Sequence, residues 1–255
     1  MASLFSIRNL EVHFGGLRAL DRFTMEVEEG SIHALIGPNG AGKSTVFNCV
    51  SGFCPRYAGD IVFEGKSLRS VPAHAVVRKG IGRTFQHVDL LQQLTVLENV
   101  MVGLTSRLPS YFPFTPGFRR RRAERTGVRE AEAVLEQTGL SKYRDVRAGE
   151  LDFGHQKLVD LARALASRPR LLLLDEPAAG LRNREISDIN SLLVDLARHR
   201  GMSIVLVEHV MQLVMSVADR ITVLSFGHRI AEGAPADIRA DPGVIEAYLG
   251  RGSHA

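Results

Sequence analysis

The sequence predicts a mixed α/β fold, and three observations carry that prediction. Short apolar runs of strand length alternate with helical stretches along most of the chain. One such run passes through a Gly-rich turn straight into a helix-compatible segment. No internal repeat with a period of roughly 20–50 residues points instead to a solenoid. In chain order, residues 24–27 alternate apolar and polar, the period-two mark of a half-buried strand. Residues 31–36 are the next strand candidate, followed by the Gly-rich turn and the helical segment Lys43–Val50. Further apolar runs of strand length lie at 61–63, Leu171–Asp175, Ser203–Val207 and 221–224. Leu158, Leu161, Ala162 and Leu165 make one apolar helix stripe, and Met211, Val214, Met215 and Ala218 make another. Residues 227–232 read as a terminal hairpin.

The middle differs. Residues 108–118 hold three Pro, one Gly and four aromatic residues, an irregular connection into a helix over 119–137 that ends near Gly139. The simplest arrangement is one domain over 4–250, with a helical subdomain over about 103–147 inserted into the α/β core.

Composition excludes several classes. At 255 residues, 45% hydrophobic and 24% charged, the chain has enough apolar material for a sizeable core, which rules out disorder as its main state. No apolar run approaches the ~18 residues of a membrane-spanning helix. The N-terminus lacks a basic segment followed by a long apolar one, so no secretory signal is expected. Cys49 and Cys54 are the only cysteines, with no cluster to complete a zinc site, so a reduced cytosolic chain is expected, with both thiols as packing residues. The net charge of +4 is local: residues 119–129 hold six Arg and one Glu, leaving the rest near neutral. A global nucleic-acid-binding surface is therefore not expected.

Gly37-Pro38-Asn39-Gly40-Ala41-Gly42-Lys43-Ser44-Thr45 fits G-x-x-x-x-G-K-[ST], placed after a strand and before a helix as that pattern requires. The glycines let successive backbone N–H groups curl around phosphate oxygens, and the helix N-terminus adds positive dipole character. Lys43 would reach the β- and γ-phosphates, and the Ser44 hydroxyl would ligate magnesium. Leu171–Asp175 delivers Asp175 to the C-terminal edge of the sheet, where α/β proteins bind ligands. Asp175 would hold the metal through its water shell, and Glu176 beside it would take a proton from the attacking water.

What lies between these motifs resembles the ABC ATPases. Leu151-Asp152-Phe153-Gly154-His155-Gln156 stands where that family carries its Leu-Ser-Gly-Gly-Gln signature. Arg83-Thr84-Phe85-Gln86 resembles its Q-loop, and Val207-Glu208-His209 its H-loop. Phe14, before Gly15-Gly16-Leu17-Arg18-Ala19-Leu20, fits its adenine-stacking aromatic, and the order along the chain matches as well. Within the family, Gly82-Arg83-Thr84-Phe85-Gln86, Asp175-Glu176-Pro177-Ala178-Ala179-Gly180-Leu181 and residues 244–250 are similar to the LivG-type subunits of branched-chain amino-acid importers. The subunits of urea and amide importers and of lipopolysaccharide export are close alternatives. A soluble ABC ATPase acting on nucleic acid fits less well, since this chain has a single phosphate loop and no room for coiled-coil insertions. A GTPase switch lacks its Asn-Lys-x-Asp motif here.

The resemblance implies an ATPase peripheral to the cytoplasmic face of the inner membrane, below two membrane permeases and served indirectly by a solute-binding protein. It implies ATP and magnesium as ligands, and a dimer that sandwiches ATP between one chain's phosphate loop and the other chain's Gly154 region. Gln86 would touch the metal and sense the permease; His209 would hydrogen-bond the γ-phosphate. Two departures stand out: Asp152 occupies the signature Ser position, and Arg182 stands where Asp or Asn is usual. Both serve the opposite nucleotide, which favours a heterodimer with a related subunit whose own site is impaired. A homodimer is the alternative, with Asp152 turned outward as a helix cap.

Overall fold

Leucine runs that look uniform in sequence sort themselves by period two onto opposite faces of a central sheet. The computed structural model describes residues 3–107 and 117–249, with the side chains at 117–123 and 249 outside the description. The stretch 108–116 and the side chains of the Arg run 119–122 therefore lie outside the described residues.

The chain opens with β1 (Ser3–Phe14), β2 (Leu17–Glu28), β3 (Ile32–Ile36), α1 (Lys43–Val50), β4 (Ala58–Phe63), β5 (Lys66–Ser67), α2 (Ala73–Val76) and β6 (Ile81–Arg83). Helices α3 (Val96–Leu104), α4 (Gly117–Gln137) and α5 (Phe153–Ala166) follow. The chain then runs through β7 (Leu171–Asp175), α6 (Asn183–Arg198), β8 (Ser203–Val207), α7 (Met211–Val217), β9 (Arg220–Ser225), β10 (His228–Gly233), α8 (Pro235–Ala240) and α9 (Pro242–Leu249).

An antiparallel sheet in the order β2-β1-β4-β5 covers a six-stranded sheet in the order β10-β9-β3-β8-β7-β6. The latter is parallel except for β10, which returns antiparallel to β9 across the Phe226-Gly227 turn. Leu171, Leu173, Val205 and Val207 face the antiparallel sheet, with Val46, Phe47 and Val50 of α1 packed between the layers. Leu172, Leu174, Ile204 and Leu206 face the other way, onto α5, α6 and α7. A strand covered on both sides must be apolar throughout, which is why alternation disappears in β7 and β8.

The expected elements are present: Lys43–Val50, Leu171–Asp175 and Ser203–Val207 have the expected bounds, and the others differ at their ends. Residues 24–27 are only the tail of β2, and β1 had no counterpart among the strand candidates. Its burial alternates irregularly because the register against β2 shifts repeatedly and Asn9 adopts φ 47°. The helix expected from 119 already starts at Gly117. The helices of the middle share one apolar cluster, from Val96, Leu97, Val100 and Leu104 through Ala131 and Leu135 to Val159 and Ala162. That cluster runs from Leu90 to Ala166, past both ends of the expected 103–147 insert.

Candidate functional site

Strand β3 is buried at every residue and delivers Gly37 at the edge of the sheet. A Cβ at Gly37 would sit 2.0 Å from the Leu224 carbonyl oxygen, on a backbone with φ 153°. Gly42, the residue before α1, has φ 111°, and a Cβ there would lie 2.8 Å from the Ala19 carbonyl oxygen. Both glycines are therefore dictated by backbone closing over the loop from β2 and β9. No side chain caps α1, so its first amides remain for a ligand. Lys43 curls back over the loop and donates from Nζ to the carbonyls of Gly37 at 2.7 Å and Pro38 at 2.9 Å. Burial lowers its pKa, while Glu176 and Asp175 pull the other way.

The loop floors a cleft of about 510 Å³. Asn39 through Thr45 line it; Gly37 and Pro38 form its approach from β3. Phe14, Gln86, Glu176 and His209 reach the same cleft from four separate segments. Phe14, 54% exposed at the end of β1, presents its ring at the mouth. Glu176 follows β7 in a left-handed conformation, φ 50°, and its amide donates to the Val207 carbonyl. Its carboxylate accepts from Gln86 Nε2 at 3.2 Å and lies 3.1 Å from His209 Nε2. Two predicted residues thus converge on the carboxylate of a third.

Asp175 sits behind them, 6% exposed. Burial raises its pKa, against the pull of the Arg83 guanidinium 3.5 Å away. Arg83 is itself fixed by Asn48 and Ser51 and lies over the Phe85 ring. The donor set suits magnesium: Ser44 offers an exposed hydroxyl, Asp175 a carboxylate and Gln86 an amide oxygen. Among the described residues no group of three or more His, Cys, Asp or Glu is placed to hold a metal by itself. Hard oxygen donors completed by substrate phosphates are how magnesium is usually bound.

Gly154 is not brought to this cleft. It lines a separate cavity of about 290 Å³ with Leu181 and Glu185. A Cβ at Gly154 would stand 2.6 Å from Glu185 Oε1, so a larger residue there must displace the Glu185 carboxylate. Asp152 is the N-cap of α5: its carboxylate accepts the His155 amide at 2.9 Å and meets the His155 ring at 2.7 Å. The outward-capping alternative for Asp152 is thus the conformation observed, and α5 begins at Phe153, five residues before the apolar stripe that starts at Leu158. Arg182 precedes α6, and its amide donates to Glu185.

Several residues at the site were not singled out from the sequence. Leu17, Arg18 and Phe226 line the cleft; Phe226 had only the adjacent Gly227 turn as a signal. Lys157 donates to the Glu176 carbonyl at 2.7 Å from within α5. Glu208, quoted beside His209 but given no role, is fully buried against both loops. At the far end of the chain, Tyr248 of α9 meets the Gly37 backbone, and burial pushes its phenol up to about 12. A larger groove, about 660 Å³ between α7, α8 and α9, is mainly apolar and holds none of the predicted site residues.

Comparison with known proteins agrees with this geometry. The family described as ABC transporter matches residues 20–179, and the family described as branched-chain amino acid ATP-binding cassette transporter matches residues 228–254. The high-affinity branched-chain amino acid transport ATP-binding protein BraF of Pseudomonas aeruginosa is 41% identical over 251 residues, covering 97% of this chain and 98% of that protein. LivG of Escherichia coli K12, named for the same transport, is 41% identical with the same coverage. Among solved structures, the ADP conformation of an ATP-binding cassette of an ABC transporter aligns with a TM-score of 0.85. It is 32% identical and covers 98% of this chain and 100% of that one. Fold, loop geometry and similarity over nearly the whole length agree: the chain belongs to the ATP-binding subunits of ABC transporters, in the group that includes the branched-chain amino acid transport ATP-binding proteins.

Proposed function

We propose that this chain hydrolyses ATP to power a membrane importer of branched-chain amino acids. The observation that carries this reading is the meeting of Gln86 and His209 on the Glu176 carboxylate, directly over the phosphate loop. Phosphoryl transfer needs positioning and electrostatic stabilisation more than covalent chemistry. Lys43 and the α1 amides neutralise the phosphates, and Phe14 stacks on the adenine. Glu176 accepts a proton from the water that attacks the γ-phosphorus, and His209 hydrogen-bonds the γ-phosphate. Ser44, Gln86 and Asp175 would hold magnesium, which supplies positive charge to the phosphate oxygens.

Gly154 acts on the nucleotide of a second ATP-binding subunit: a related subunit in a heterodimer, which Arg182 favours, or a second copy of this chain in the homodimer alternative. Asp152, spent on its helix cap, gives no support to an impaired partner site. Two permeases and, indirectly, a solute-binding protein complete the assembly at the cytoplasmic face of the membrane. Residues 4–250 act as one ATPase domain, with a helical subdomain over about 103–147 inserted in its α/β core.

Two measurements test this. In Glu176→Gln, turnover should fall by roughly 10²-fold or more, with ATP binding retained. The ATP-bound dimer should then accumulate on size-exclusion chromatography; undiminished turnover would move the base elsewhere. In proteoliposomes with the permeases and binding protein, uptake of labelled leucine should require ATP. Uptake of urea or short amides in its place would reassign the substrate.

A further inference from the structure

Behind the cleft, the residue next to His209 has lost all contact with solvent. Glu208 follows β8 and is 0% exposed. Its two oxygens divide between two loops. Oε1 accepts the Ala178 amide at 2.6 Å, two residues beyond Glu176. Oε2 accepts the amides of His209 at 2.8 Å and Val210 at 3.1 Å. The Lys157 ammonium, bonded to the Glu176 carbonyl, lies close enough for Glu208 to be the acid that most opposes the effect of its burial.

A buried carboxylate is costly unless donors surround it. Residues 203–207 fill the core with small and aliphatic side chains, and another aliphatic at 208 would have continued that packing. Here a carboxylate takes three amides from two loops, and so fixes the distance between them. The arrangement bears on strain too. Glu176 holds a left-handed backbone that a non-glycine residue seldom adopts, and the turn is pinned on both sides from the end of β8. The Val207 carbonyl accepts the Glu176 amide, and Glu208 accepts the Ala178 amide.

We propose that Glu208 is a positioning residue for ATP hydrolysis. It ties the loop after Glu176 to the loop at His209, and thereby sets the 3.1 Å approach of the imidazole to the Glu176 carboxylate. This rests on the roles proposed above for Glu176 and His209. Misplacing a reacting group by ~1 Å can cost ~10²-fold in rate, so a tether with no substrate contact has ample leverage.

The test uses the full chain and two variants. Glu208→Gln keeps the size but turns an NH2 donor toward amide donors, which releases one loop. Glu208→Asp keeps the charge but withdraws the carboxylate by one methylene, too short to bridge both loops. Each should lower kcat about tenfold or more while KM for ATP stays within about twofold, because the phosphates are bound elsewhere. In single-turnover measurements on Glu176→Gln, adding Glu208→Gln should cost less than about a further twofold, since it acts through the base. Should the Gln variant melt too low to assay, the Asp variant carries the same comparison beside its own melting curve. Wild-type kcat in Glu208→Asp, a KM that rises as kcat falls, or a full further loss on Glu176→Gln would each overturn the proposal. Undiminished turnover in Glu176→Gln alone would instead overturn the reading of the base.

Discussion

Replacing Gly154 by alanine sets two terms of opposite sign against each other. The new Cβ would stand 2.6 Å from Glu185 Oε1 and 3.0 Å from its Cδ. An ordinary carbon–oxygen contact is about 3.3 Å or more, so the carboxylate must retreat by roughly 0.7 Å. It is not free to do so, because its other oxygen accepts the Arg182 amide at 2.7 Å at the start of α6. Losing such a cap costs about 1 kcal/mol. Against this, alanine in place of glycine favours a helix by about 0.5–1 kcal/mol in its interior, and by less in the first turn where residue 154 lies. The net effect in the wild-type background is a loss of about 0.5 kcal/mol. In a Glu185→Ala background the clash is gone, and the same substitution should be neutral or stabilising. The coupling between the two sites is then about 1 kcal/mol, or about 2–4 °C in melting temperature for a chain of this size. Thermal melts of the four proteins of the cycle measure it. Equal effects of Gly154→Ala in both backgrounds would show that Glu185 is not what demands glycine.

Two further outcomes are expected. Lys43→Ala removes the ammonium that reaches the phosphate loop carbonyls, so affinity for ATP should fall about 10- to 100-fold by calorimetry; wild-type affinity would separate phosphate binding from this loop. His33, buried in β3 with Nε2 2.8 Å from Thr222 Oγ1, is depressed by burial from 6.5 to about 4. The unfolded chain takes up this proton as pH falls through 6.5 and the folded chain does not until about 4. Stability should therefore decline across that window by up to about 3 kcal/mol, with no loss above it. Urea midpoints should show a flatter decline in His33→Gln, and an unchanged slope would assign the effect to other groups.

The chemistry was more legible than the architecture around it. Gly37 to Thr45 and Asp175-Glu176 could be read because each is a local pattern whose residues must be adjacent to work. Strands β7 and β8 were visible because burial on both faces leaves unbroken apolar runs. Strand β1 was not, because bulges break its alternation, and β6 is only three residues long. Asp152 looked like a departure in a phosphate contact and is locally a helix cap. Glu208 and Phe226 escaped notice for a different reason: Glu208 joins its own loop to Ala178, 30 residues away, and Phe226 lines a cleft floored by the distant phosphate loop, so no local pattern marks either role.

The Phe226-Gly227 turn also governs when the nucleotide cleft can exist during synthesis. Gly227 donates its amide to the Ala41 carbonyl and accepts the Asp21 amide, and Phe226 lines the cleft. The phosphate loop leaves the ribosome long before that turn does. At ~5–20 residues per second the interval is roughly ten to forty seconds. Throughout it the loop lacks both the turn and the Leu224 carbonyl that closes over Gly37. Cellular ATP is therefore unable to brace the nascent chain through a finished site, and early folding must rely on β1, β2, β4 and α1, whose shared apolar cluster is completed later by Leu171 and Leu173 of β7, Val205 and Val207 of β8 and Leu224 of β9. Slow translation downstream of α6 would lengthen the exposure of the inward faces of β1 and β2 to chaperones, and rapid translation would shorten it.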